Sequence, residues 1–93
     1  KMEYYNHTII KLKEKGATSV AIKGTNSPVY LLNCTDNTAV WDVGSNVPGD
    51  YMVQFFKDDN IIKTEVITIQ QNLKFVDDNY DPRSPARIIL EAI

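Results

Sequence analysis

His7 and Cys34, the two side chains best suited to acid–base or nucleophilic work, each occur only once in the 93 residues. A Ser-His-Asp or Cys-His arrangement would have to include His7. That residue lies between Asn6 and Thr8, and no recognisable turn places a nucleophile beside it. Cys34 alternates with Leu32 on an extended stretch, where a lone cysteine behaves as a small hydrophobe. One Cys and one His cannot supply the four ligands of a zinc site. The 4 glycines are scattered singly, so no phosphate-cradling loop exists. The run Asp77-Asp78-Asn79-Tyr80-Asp81 begins like a calcium loop, with ligand types at 77, 79 and 81. It then fails at Pro82, where the loop needs Gly, and at Ile88, where a bidentate Glu should stand. A solvated linker is the better reading. The sequence therefore points to a protein that is not an enzyme and holds no metal or cofactor.

Other candidate sites are equally bare. The sequons Asn6-His7-Thr8 and Asn33-Cys34-Thr35 matter only in a secreted eukaryotic chain, and Asn33 falls within an expected strand. Lys11, Lys13 and Lys15 read as guards along an outer strand against edge-to-edge pairing. A polyanion site would interleave them with aromatics or arginines. The net charge is -2 with the two signs mixed, so no nucleic-acid partner is expected. No apolar run approaches the roughly eighteen residues of a membrane helix, and no signal peptide is visible. A single cysteine excludes an intramolecular disulfide and favours assembly in a reducing cytoplasm. The sequence starts at Lys1 instead of Met, so a processed chain or a piece of a longer one is expected.

Whatever these residues do, short strands must position them. Thr8, Ile10 and Leu12 share one face of an extended segment, with Lys11 and Lys13 opposite. Val20 and Ile22 follow, and Asn26-Ser27-Pro28 reads as a turn. Tyr30, Leu32 and Cys34 alternate with Val29, Leu31 and Asn33. Both faces are fairly apolar, as expected of an interior strand. After the Asp36-Asn37 turn, Thr38 to Trp41 makes a short strand. Tyr51 to Phe56 and Ile61 to Ile69 make the most secure hairpin, turning at Asp58-Asp59-Asn60. The apolar phase changes at Val66-Ile67, which suggests a bulge or a change of partner. About six short strands with regular turns fit a small antiparallel sandwich. The expected division is a β domain over 1–76, an acidic linker over 77–84 and a helix over 85–93.

Gly49-Asp50-Tyr51-Met52-Val53 resembles the Gly-x-Tyr-x-Cys stretch that opens strand F of immunoglobulin-like domains, with Val53 in place of the cysteine. The resemblance implies a small immunoglobulin-like antiparallel sandwich in which the Tyr51 hydroxyl bonds back to the backbone at a corner. Trp41 is too close to be that fold's strand-C tryptophan. It is expected on the preceding strand, under the corner, in a core with Gly49, Tyr51, Val53 and Phe55. A plain turn at Gly49 and an ordinary core Tyr51 form the alternative.

At the end, Ser84 suits an N-cap and Pro85 the first helical position. Ala86, Ile89, Leu90 and Ile93 then form one apolar stripe at i, i+3, i+4 and i+7. A helix of about nine residues is unstable alone, so it must dock or continue. The stretch from Tyr80-Asp81-Pro82-Arg83-Ser84-Pro85-Ala86-Arg87 to Leu90-Glu91-Ala92-Ile93 resembles a Y-D-P-R-S-x-A signature of small virion-associated proteins of tailed bacteriophages. There, a β domain precedes the signature and helical sequence follows it. Pro85 departs from the frequent His. The resemblance implies a structural virion component of the head or head–tail region, assembled in the bacterial cytoplasm. It would act as an accessory or connector, in many copies or as a homo-oligomer, docking on capsid, portal, neck or tail subunits. Arg83, Arg87, Ile89, Leu90 and Ile93 are the expected docking residues. The alternative is an adhesion or carbohydrate-binding module with Trp41, Tyr30 or Tyr80 as sugar-stacking platforms.

Overall fold

Period-two alternation over most of the chain produces a mainly β structure. The computed structural model describes residues 2–75 and 88–91. Eight strands form two sheets, consistent with a β-sandwich, and no α-helix occurs among the described residues. Strands β1 (Met2–Tyr5), β3 (Ser19–Gly24), β4 (Tyr30–Asn33), β6 (Gly49–Lys57) and β7 (Asn60–Gln70) make a five-stranded sheet in the order β1-β7-β6-β3-β4. Strands β2 (Thr8–Lys13), β5 (Thr38–Asp42) and β8 (Ile88–Glu91) make a three-stranded sheet in the order β5-β2-β8.

The inward residues of both sheets meet in one core. Ile10 and Leu12 of β2 and Ala39 and Trp41 of β5 pack with Val20, Ile22, Tyr51, Val53, Phe55, Ile67 and Ile69 of the larger sheet. Every one of these belongs to an alternating run, so burial follows directly from the strand period. Turn chemistry closes the connections. Asp36 and Asn37 both take positive φ, and Thr35 and Thr38 exchange backbone hydrogen bonds of 2.8 and 3.0 Å around them. That is the geometry of a two-residue hairpin whose twist matches its strands. Asp58 (φ 55°) plays the corresponding part between β6 and β7.

Five expectations need correction. Among the described residues there are eight strands, where about six were expected: β1 is too short for alternation to be legible, and β8 stands where a helix was anticipated. Over Ile88–Glu91 the backbone is a strand running parallel to β2, with Ile89 opposite Ile9 and Leu90 opposite Ile10. The β-branched pair Ile88-Ile89 suits a strand, and so short a helix is not stable without support. The remainder of the expected helix and the whole linker, with Arg83, Arg87 and Ile93, lie outside the described residues. Third, β2 is the middle strand of its sheet, so Lys11 and Lys13 do not line an outer edge. Fourth, β4 is an edge strand, not an interior one, and its second apolar face is exposed, with Leu31 at 79%. Last, the register shift in the main hairpin falls between Phe55 and Phe56, while pairing runs evenly through Val66 and Ile67. The apolar phase changes at Val66 because that side chain is on the solvent face.

Candidate functional site

Three features are the places to look for function: an aromatic corner, a polar cluster at one end and an apolar outer sheet face. The corner is built where the chain enters β6. The Tyr51 hydroxyl donates to the carbonyl of Val47 at 2.6 Å, four positions upstream. Gly49 sits between them at φ 148°, a conformation that L side chains rarely adopt. Trp41 lies against Tyr51 with ring centroids 5.6 Å apart and against Tyr30 at 5.5 Å, tilted in both pairs as the ring quadrupoles prefer. Gly24, paired with Tyr51 across the sheet, has no room for a side chain: a Cβ there would lie 2.5 Å from the Tyr51 ring. Asn46 ties the corner to its surroundings, donating to the Tyr30 hydroxyl at 2.8 Å and to the Val43 carbonyl at 2.7 Å.

This corner is filled by its own aromatics, Tyr30, Trp41 and Tyr51. Trp41 is 1% exposed, so it cannot stack on a sugar; Tyr30 is half-buried against it. Tyr80 lies outside the described residues. Burial pushes the Tyr51 phenol above its ordinary pKa, with Tyr30 adding to the shift. The Cys34 thiol, half-buried against the core, is raised by burial as well. A raised thiol pKa means less thiolate, the opposite of what a nucleophile needs.

The polar cluster has no counterpart in the sequence reading. Asn6 is buried where the chain crosses from one sheet to the other. Its carbonyl accepts the Asn72 backbone N–H at 2.8 Å, and its amide donates to the Asn46 carbonyl at 3.2 Å and to Gln71 Oε1 at 3.3 Å. The His7 N–H donates to the Gly44 carbonyl at 2.7 Å, with His7 itself at φ 56° and buried. These bonds knot three separate chain segments at one end of the sandwich. The only signal was the coincidence of Asn6, Asn46 and Asn72, which spacing does not reveal. No group of three or more His, Cys, Asp or Glu residues able to hold a metal occurs among the described residues.

The outer face of the five-stranded sheet carries several exposed apolar side chains among the described residues. Met52 pairs with Val66 and Phe56 with Ile61, and Met52, Val66 and Ile61 are all exposed. Leu31, beside Ala21 on the same face, is more exposed still. Between Leu31 and Phe56 runs an open groove of about 380 Å³ with Asn33, Asp58 and Asp59 on its margin. Among the residues singled out from sequence, Trp41, Tyr51, Val53 and Phe55 come together in the core, while Gly49 shapes the corner from an exposed position. Ile89 and Leu90 are in β8, away from that face. No protein-family model matches this chain, and the comparison with curated proteins gives no match either.

Proposed function

We propose that this chain is a non-enzymatic structural component of a tailed-phage virion, in the head or head–tail region, acting by protein–protein docking. The docking part rests on one observation: Met52, Val66 and Ile61 stand exposed on one face of a sheet whose opposite face supplies most of its buried side chains to the core. Exposed apolar side chains grouped on one sheet face, with the Gln54–Thr64 pair between them, support a docking surface. The phage part rests on the Y-D-P-R-S-x-A resemblance of residues 80–93. The sandwich is proposed to be immunoglobulin-like, supported by the Tyr51–Val47 corner and by the pairing of β6 with both β3 and β7. Capsid, portal, neck or tail subunits are the partners in view. The carbohydrate-binding reading loses its main support, since Trp41 is buried.

The test is complementation of a phage lacking the gene, using Met52→Lys with Val66→Lys. Both side chains are on the solvent face, so the domain should fold as before. Particle-associated protein should fall sharply, measured by quantitative mass spectrometry of purified virions. Undiminished incorporation of the double variant would sink the docking face. Absence of the unaltered protein from particles would sink the virion assignment.

A further inference from the structure

We infer that the groove between Leu31 and Phe56 takes an arginine side chain presented by a partner protein, with its guanidinium on Asp58 and Asp59. The inference rests on the docking reading and deepens it by stating what chemistry the partner brings. The groove follows from side-chain size. On the outer face β3 carries Ser19 and Ala21, and these small residues lie between larger neighbours. Asn33 and Leu31 stand beside them on β4, and Phe56 stands across from Ser19 on β6. The trough so formed measures about 380 Å³, toward the lower end of the range of about 300–1,000 Å³ usual for small-ligand sites. Leu31, largely in solvent, is its uncovered apolar wall.

The acidic end of the groove is fixed in place. Thr18, just before β3, accepts the Asp58 backbone N–H on its hydroxyl at 2.7 Å. Its own N–H donates to the Phe56 carbonyl at 2.7 Å. The β6–β7 turn that carries both carboxylates is thereby tied to the strand that forms the floor of the trough.

Charge selects the occupant. Among the described residues, Asp58 and Asp59 are the charged groups that line the groove, and neither takes part in an ion pair. Lys57 alternates onto the opposite face from Phe56. Lys23 shares the groove's face but lies beyond Ala21, at the end away from the acidic turn, with Asp50 at the diagonal position on β6. Carboxylates only accept hydrogen bonds, so two of them closing an apolar trough match a cation rich in donors on an apolar stem. Arginine meets this better than lysine. Its fork bonds carboxylate oxygens in pairs, its plane stacks on a ring such as Phe56, and it is the more weakly hydrated of the two cations.

An NMR titration of the nitrogen-15-labelled full chain with Nα-acetyl-arginine N-methylamide tests the proposal. Saturable shifts are expected at Ser19, Ala21, Leu31 and Phe56 as well as at Asp58 and Asp59, with a dissociation constant of about 1 mM. The citrulline analogue, similar in shape but uncharged, should bind at least roughly tenfold more weakly. Two variants separate charge from groove, and both should keep the wild-type amide spectrum away from it. Asp58→Asn with Asp59→Asn retains a residue type that tolerates the positive φ at position 58, and should weaken binding at least roughly tenfold. Ala21→Leu leaves both carboxylates in place but fills the trough, and should weaken binding by a similar factor. No shifts up to about 20 mM, shifts confined to Asp58 and Asp59, or binding indifferent to Ala21→Leu would each overturn the proposal. If the groove fails this test while Met52→Lys with Val66→Lys still blocks incorporation into particles, the docking reading stands without it. If the groove binds arginine while that double variant enters particles undiminished, the groove stands and the docking face falls.

Discussion

The hydroxyl of Tyr51 and the carbonyl of Val47, joined at 2.6 Å, tie the start of β6 to the loop that leads into it. Trp41 lies beneath, against the Tyr51 ring, so one tyrosine links a loop, an edge of the core and the opposing sheet.

Removing only the hydroxyl isolates that bond. Tyr51→Phe is expected to lower stability by about 1 kcal/mol, the usual net worth of one such bond with its acceptor left partly buried. Urea denaturation with an unchanged slope and a lowered midpoint would be the signature. No change in midpoint would mean that water replaces the bond without loss.

Gly24→Ala should cost more than that, about 1–3 kcal/mol, because its Cβ would lie 2.5 Å from the Tyr51 ring. The effect should largely vanish in a Tyr51→Ala background, where the obstructing ring is gone. Equal losses in both backgrounds would show that the strain lies in the backbone and not in the ring contact.

Asn6→Ala strips partners from the Asn72 N–H, the Asn46 carbonyl and Gln71 together. A loss of about 1–3 kcal/mol is expected from the buried groups left unpaired. Amide exchange should accelerate at Asn72 in particular. If protection there is untouched, the cluster is not what holds that end.

Alkaline pH should weaken the fold. Tyr51 and Tyr4 are raised above the ordinary phenol value by burial first, with Tyr30 and Glu65 respectively adding to it. Lys63 is raised chiefly by its hydrogen bond to Glu65, 2.8 Å away, with Glu14 contributing at 3.4 Å. A group raised on folding gives stability that is complete below its unfolded pKa and is lost as pH climbs through the folded one. The decline should therefore begin near about pH 10 for the tyrosines and the lysine. Denaturation midpoints measured across that range should fall, and Tyr51→Phe should flatten part of the fall. A midpoint that stays level would contradict the burial of these phenols.

Deleting residues 83–93 separates fold from assembly. The described core residues lie in the strands from β1 to β7 and their loops, so the shortened chain should still unfold cooperatively. It loses β8 and with it the partner on one side of β2. If the C-terminal segment also anchors the protein, incorporation into particles should disappear. Full incorporation of the shortened chain would free Arg83, Arg87, Ile89, Leu90 and Ile93 from any docking role.

Most of the strand content was legible in the sequence because burial at alternate positions leaves a period of two. Ile10 and Leu12, Val20 and Ile22, Tyr51, Val53 and Phe55 all announce their inward faces. Asp36-Asn37 and Asp58-Asp59 likewise mark turns, since such residues tolerate positive φ. The place of Trp41 under Tyr51 could be inferred as well, from its spacing to the corner. What alternation cannot encode is which strand lies beside which. Val29 and Leu31 look like the second face of an interior strand, and only the sheet order makes them an exposed edge. Lys11 and Lys13 look like edge guards, and only the pairing of β5 and β8 around β2 moves them inside a sheet. The Ile88–Glu91 run satisfies both a helical stripe and a strand, so its conformation follows from what it can lean on. Local periodicity determined which residues turn inward; long-range pairing decided which inward-looking surfaces are left for another molecule.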